Sequence, residues 1–399
     1  MTITIRELPR VRISDAVPPP AAPGPEISTA LMLIRERAIH LPLLEWAEGL
    51  RRGLARVRQG SRTVYELAYE FSRAGNNAAL IAVHQGEGPT AASLVKSQLR
   101  WINRLIRRSG ATAIADFAVS PWTNHARLDT FRGDWGAALQ RMRSIEECRR
   151  TDTLRLGGGP RTPALSLATP GRDGYKRYLR DLYVTESLKA LLANRQWQGA
   201  LDFAAGLDDA EPEWIARSAD EARVVALCRL GDHERAEAVA LRAIRLARGW
   251  DGAALRVRRA EVLACDGRRD RAEAALEGLR PAVCAAPIEA ADTMRALNAL
   301  YPLLRAASLG IGLGMEATGA ALAERAFHVA AASEDEVFQI ESARLLARAG
   351  AAAERPRWAE TAERLETETL YRRFRRGPVD SERAAVLHAL YEEVAAAFD

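Results

Sequence analysis

Three observations predict an all-α fold built from repeated helical hairpins. A short pattern, a polar turn followed by a small residue that opens an apolar helix, recurs at a 36-residue step. It reads Arg195-Gln196-Trp197-Gln198-Gly199-Ala200, Gly231-Asp232-His233-Glu234-Arg235-Ala236 and Gly267-Arg268-Arg269-Asp270-Arg271-Ala272. A period of this size marks one hairpin repeated, each burying its apolar face against its neighbours. Aromatic residues are only 6% of the chain and alanine is abundant, which suits closely packed helices better than sheets. Hydrophobic residues make up 48%, enough for a sizeable core, and an array that grows by addition absorbs 399 residues as one body.

Residues 1–25 carry an alternating Ile3, Ile5, Val11 and Ile13, then Pro18-Pro19-Pro20 and Pro23-Gly24-Pro25. Proline fixes φ and has no N–H to donate, so this stretch is expected to be an extended tail or strap, a spacer rather than a ligand for a proline-reading partner. A single helical array is expected over 26–399. Helices begin near Ser28, and Pro42 suits the first turn of the next one. There Leu43, Ala47, Leu50, Leu54 and Val57 step by three and four, which makes one apolar face. Ser61 is placed to cap a third helix, where Val64, Leu67, Ala68 and Phe71 repeat the step. Beyond Gly86-Glu87-Gly88-Pro89, Ala92, Val95, Leu99, Ile102 and Leu105 mark the inner face of another helix.

Trp122, Ala126, Gly133, Trp135 and Ala138 then fall at the spacing of a tetratricopeptide repeat, and Ala200, Ala236 and Ala272 take the place of Ala138 in later units. The chain therefore resembles the tetratricopeptide-repeat superfamily over about residues 112–281, with more degenerate helices on either side. The small residue of the first helix is Ala126 or Ala260 in two units and is replaced by Leu188 and Val224 in the others. This resemblance implies a right-handed α-solenoid of TPR-like hairpins in which the first helix of each hairpin lines a concave groove. Arg127, Lys189 and Glu261 then become groove residues. It also implies an adaptor or regulator that binds a peptide or partner protein, without catalysis.

Between Ala138 and Ala200 the chain carries 26 residues more than one repeat. The segment 151–174, with Gly157-Gly158-Gly159-Pro160, Pro163 and Pro170-Gly171, supplies nearly all of them as one inserted loop. Loops of that length are usually functional or disordered. After Cys284 the period fades while helices continue. Ser333 with Glu336 is expected to form a capping box, and Gly350 a left-handed cap. A capping helix is expected over 380–398, with Leu387, Leu390, Val394 and Phe398 inward and Glu382, Glu392 and Glu393 outward.

Several chemistries are disfavoured. The four cysteines, Cys148, Cys228, Cys265 and Cys284, lie far apart, so neither a zinc site nor a disulfide framework is expected. His40, His84, His125, His233, His328 and His388 form no metal-ligand pair, and His388 with Glu392 reads as an i,i+4 surface contact. Gly312-Leu313-Gly314-Met315-Glu316-Ala317 has the form of a dinucleotide-binding turn, but no strand precedes it, so a flexible interhelical turn is expected. Gly157-Gly158-Gly159 lacks the lysine and hydroxyl of a phosphate loop. No cofactor and no metal are expected. Residues 1–25 lack the apolar stretch of a signal peptide and no long uncharged run follows, so a cytoplasmic protein without membrane contact is expected.

The net charge of +5 comes from 57 basic and 52 acidic residues, a small and unclustered excess that argues against a general nucleic-acid binder. Lys96, Lys176 and Lys189 are the only lysines, a usage expected of GC-rich bacterial coding, so exposed positive charge is nearly all guanidinium. Two basic features stand out. Lys96, Arg100, Arg104 and Arg107 step by four, four and three, a ridge of cations opposite an apolar stripe. Tyr371-Arg372-Arg373-Phe374-Arg375-Arg376 interleaves rings with guanidiniums. Each is suited to an acidic peptide, a phosphate or a nucleic acid, and each is also what a solvated face of an arginine-rich protein looks like. The leading expectation is an adaptor or regulator that binds a peptide or partner protein in a concave groove, an acidic one if the basic ridge is used. The alternatives are a biosynthetic-pathway enzyme with its site in the groove and 151–174 as a lid, and an oligomeric scaffold that binds further copies of itself.

Overall fold

The computed structural model describes residues 51–52, 55–56, 64–84, 88–109, 112–154, 162–163, 172–207, 213–247, 249–285, 293–333 and 335–374, together with 385, 388–389 and 392. The expected tail at 1–25, the helix from Ser28, most of the Pro42 helix, the Ser61 cap and most of the capping helix lie outside the described residues. The described chain is all-helical apart from one two-residue strand pairing, and consecutive helices pack on each other. Among the described residues, no helix is long and apolar enough to cross a membrane.

The helices fall into two compact units. The first lies within 36–194 and takes in the C-terminal residues from 370. It contains α1 (Val64–His84), α2 (Gly88–Ser109), a 3-10 turn (Thr112–Ala118), α3 (Val119–Phe131), α4 (Trp135–Thr151) and α5 (Arg172–Ala193). The inner face of α2 is the one its periodicity marks: Ala92, Val95, Leu99, Ile102 and Leu105 are all buried. Phe71 of α1 stacks on Trp101 of α2 with ring centroids 5.4 Å apart. The buried Gln98 amide donates to the Ser72 carbonyl at 2.6 Å and to its Oγ at 3.1 Å, so the polar group carried into this core is used to tie α2 to α1.

Between α4 and α5, β1 (Thr153–Leu154) pairs antiparallel with β2 (Thr162–Pro163). Helix α4 ends at Thr151 and α5 starts at Arg172, so Thr151 and residues 172–174, expected as parts of the inserted loop, are helical. Lys176 on the first turns of α5 bridges Asp152 at 2.6 Å, which ties the two ends of the insert together.

The second unit lies within 195–369 and contains α6 (Trp197–Ala205), α7 (Glu213–Arg229), α8 (His233–Leu246), α9 (Gly249–Cys265), α10 (Arg269–Ala285), α11 (Thr293–Gly312), α12 (Glu316–Ala332), α13 (Glu336–Ala349) and the part of α14 (Arg355–Phe374) before residue 370.

One bend recurs in both units and explains the repeated motif. A left-handed residue, Gly133, Gly231, Gly267 or Gly314, ends the first helix of a hairpin, and Arg195 takes the same conformation at φ 57°. The next N–H reaches back five residues, as in Asp134 to Asp129 (2.9 Å), Asp232 to Leu227 (3.0 Å), Arg268 to Leu263 (2.9 Å) and Met315 to Gly310 (2.9 Å). This satisfies carbonyls that the helix end would otherwise orphan. Asp134 and Asp232 then cap the following helix, their Oδ1 atoms accepting from the Ala137 and Arg235 amides. Five residues past the left-handed position stands the small residue, Ala138, Ala200, Ala236 or Ala272, each at most 1% exposed.

Gly314 extends the repeat beyond the expected units. The 312–317 segment holds a turn between helices, as expected, and that turn is a further copy of the hairpin bend, with Gly319 where the others have alanine. A Cβ on Gly319 would sit 2.6 Å from Ile311 Cγ1 and 3.0 Å from the Ala307 carbonyl, so α11 and α12 approach too closely for even an alanine. Two caps also differ from expectation. Asp335, not Ser333, caps α13, its Oδ1 accepting from the Phe338 amide at 3.2 Å, while Ser333 closes α12 with its Oγ donating to the Ala330 carbonyl. Gly350 is extended at φ −63°, ψ 170°, and is needed for space, since its Cβ would lie 2.6 Å from the Leu346 carbonyl.

Candidate functional site

The groove residues inferred from resemblance lie on lines of internal ion pairs. In the first unit the Arg127 guanidinium on α3 donates through Nε and Nη2 to both oxygens of Glu186 on α5, at 3.0 and 2.9 Å. Lys189 Nζ donates to Glu186 Oε1 at 2.8 Å. The line runs on through Asn124, which accepts from Arg127 Nη1 at 3.2 Å and donates to Asn76 on α1 at 3.2 Å. Burial pushes the Glu186 carboxyl up, but Arg127 and Lys189 pull it down further, and it ends well below the usual carboxylate range. Burial lowers the Lys189 ammonium despite the attraction of Glu186.

The second unit repeats the device with the charges reversed. Arg258 on α9 donates to Glu221 on α7 at 3.1 Å and to Glu261 at 2.8 Å, and Arg305 on α11 donates through Nε and Nη2 to Glu261 at 3.0 and 2.7 Å. All four side chains are 10% exposed or less. Lys189 and Glu261 are therefore buried between helices and neutralised there, while Arg127 keeps a partly exposed edge. The structure brings Arg127 and Lys189 together on Glu186 and places Glu261 in the other unit. Ion pairs this deep fix which helices meet more than they add to stability.

The α2 ridge differs in kind. Lys96, Arg100 and Arg107 are exposed and Arg104 is half-buried, all on a helix whose other side is core. Arg100 Nη2 donates to Ser97 Oγ on its own helix at 3.0 Å. Arg104 Nη1 donates to Glu392 Oε2 at 2.5 Å, and His388 Nε2 lies 3.3 Å from Ser93 Oγ. His388 and Glu392, four residues apart, thus each reach α2 instead of pairing as a surface contact. Sequence spacing could not find this, because 288 residues separate Arg104 from Glu392.

Below the ridge, α3 and α4 hold a cluster of packed polar and aromatic side chains. The buried His125 ring meets Trp122 edge to face at 6.1 Å, and Arg141 lies over Trp122 at 5.0 Å while bridging Asp129 at 2.5 Å. Burial, then the Arg141 charge, lowers the His125 imidazole to about 4 against the pull of Asp129, so at neutral pH the ring adds no charge beneath the ridge. Elsewhere, a cavity of ≈ 510 Å³ is lined by Gln140, Arg143, Ser144, Glu147, Cys148 and Thr151 of α4 with Thr153 of β1. Its described lining is one face of α4 together with Thr153 of β1. Cys228 and Cys265 pack together in the core of the second unit as free thiols, and Cys148 is a buried free thiol. Among the described residues no group of His, Cys, Asp and Glu is placed to hold a metal ion. The arginine-aromatic run at 371–376 has no described side chains.

A scan against protein-family models finds no match to this chain, and a search of the curated proteins finds none either.

Proposed function

We propose that this chain is a right-handed α-solenoid of tetratricopeptide-like hairpins acting as an adaptor, and that it binds an acidic peptide or protein partner across the basic ridge of α2. The observation that carries this reading is the contrast between the two sets of candidate residues. The charges on the groove line, Arg127, Lys189 and Glu261, meet opposite charges inside the helix layers, whereas Lys96, Arg100, Arg104 and Arg107 face outward from a helix fixed firmly by its buried side. A rigid helix holding guanidiniums in a row limits the side-chain entropy lost on meeting carboxylates. Between the cations stand the polar Ser97, Gln98 and Asn103 and the buried Leu99, Trp101, Ile102, Leu105 and Ile106; the one ring among them, Trp101, is buried and not set out for base stacking, which favours a carboxylate partner over single-stranded nucleic acid. One acceptor that the ridge meets, Glu392 at Arg104, is itself a carboxylate.

The test is a full-length variant with Lys96, Arg100, Arg104 and Arg107 all changed to glutamine. Like charges three and four apart on one helix repel, so melting temperature is expected to stay within about 3 °C of wild type. Affinity for a glutamate-rich peptide is expected to fall at least about tenfold at low salt, and the remaining binding to depend less on ionic strength. Undiminished peptide affinity would overturn the reading, as would wild-type binding to duplex or single-stranded DNA that exceeds binding to the peptide.

A further inference from the structure

The ridge is met by the chain's own C-terminal segment, and the manner of the contact suggests a resident competitor. Ala385, His388, Ala389 and Glu392 are helical, and two of them, one helical turn apart, touch α2: His388 at Ser93 and Glu392 at Arg104. Ser93 and Arg104 bracket Lys96 and Arg100, so the contacts of His388 and Glu392 flank these two ridge cations and include a third, Arg104. His388 is half-buried beside Ser93, and that burial, then the neighbouring Arg100 charge, lowers its imidazole. The anchoring bond is weak by design of its surroundings: the Arg104 side chain is 37% exposed and Glu392 76%. An ion pair so open to water is screened by salt and exchanges readily with another carboxylate.

We infer that the segment bearing His388 and Glu392 occupies the ridge as an intramolecular pseudo-ligand, and that an acidic partner binds by displacing it. This rests on the ridge being the binding surface. The partner it fits presents carboxylates along a helix or extended strand, as Glu392 does. A strand-like or helical acidic segment with several carboxylates gains contacts to Lys96, Arg100 and Arg107 that one glutamate does not make. The device sets a threshold: partners with a single carboxylate compete poorly with a tethered one, whose effective concentration is high, whereas multiply charged partners win.

The full-length Glu392→Lys variant tests this with a glutamate-rich peptide as probe. Reversing the charge replaces an attraction to Arg104 by a repulsion, so affinity for the peptide is expected to rise about three- to tenfold. In wild type, amide exchange over 385–392 is expected to speed up when the peptide is bound. If wild type binds the peptide through the ridge cations but Glu392→Lys binds no tighter and exchange over 385–392 does not change, the competitor is refuted and the ridge reading stands. If neither protein binds the peptide in a way that the ridge glutamines abolish, both are refuted.

Discussion

Changing Ala236 or Ala272 to glutamate is expected to destabilise the second unit by about 3–5 kcal/mol, the largest single-site effect the helical repeat predicts. Ala236 is fully buried among Val224, Leu227, Cys228, Ala240 and Val262, and Ala272 is fully buried among Ala260, Leu263 and Leu276. A glutamate at either site would force two helices apart and leave a carboxylate without a partner in an apolar layer. Melting by circular dichroism should show a fall of roughly 10 °C or more. Ala238→Glu is the control. It lies on the same helix as Ala236 but is exposed, so it should change stability by no more than about 0.5 kcal/mol. Equal effects at 236 and 238 would mean that α8 does not present this face to its neighbours.

The second large effect is expected at Glu261. Glu261→Ala removes the carboxylate shared by Arg258 and Arg305, two guanidiniums no more than 6% exposed, and is expected to cost about 3–5 kcal/mol. Replacing Glu261 and Arg305 together by methionine removes both charges and should recover much of that loss. The pH dependence has a definite sign. Burial raises the Glu261 carboxyl, but Arg258 and Arg305 outweigh it and hold it below its ordinary 4.5. A depressed carboxyl contributes its stability above 4.5 and loses it as pH falls below that value, so the wild-type melting temperature should drop more steeply in acid than that of Glu261→Gln. Denaturant titration from pH 7 to pH 3 reads the difference. The same slope in both proteins would remove Glu261 from the acid response.

The fold was largely readable because its recurring elements are local. The left-handed residue, the aspartate cap and the small residue five places on all lie within one short stretch, and Ala138, Ala200, Ala236 and Ala272 fall where their spacing placed them. The bend at Gly314 escaped because it comes 47 residues after Gly267 and not 36, and because glycine at 319 replaces the diagnostic alanine. The α13 cap is Asp335 and not Ser333, since Asp335 stands directly before the helix start and offers a charged acceptor to the Phe338 amide. The surfaces were only half legible. Periodicity showed that four cations share one face of α2, which depends on helix geometry alone. What those cations meet depends on chain far away in sequence: Glu392 for Arg104, and, on the groove line, Glu186 for Arg127 across 59 residues and Arg305 for Glu261 across 44. No local pattern encodes such partners when each helix carries many arginines and glutamates.

Hydrogen-exchange footprinting of the full-length protein with and without a glutamate-rich peptide tests the central claim, that an acidic partner is held on the α2 ridge. Peptide-dependent protection is predicted in Gly88–Ser109, with its surface residues Lys96, Arg100, Arg104 and Arg107, and no protection in α5 around Lys189 or in α9 around Glu261. Protection confined to α3, α5 or α9, with α2 unchanged, would contradict it and return the binding surface to the groove line.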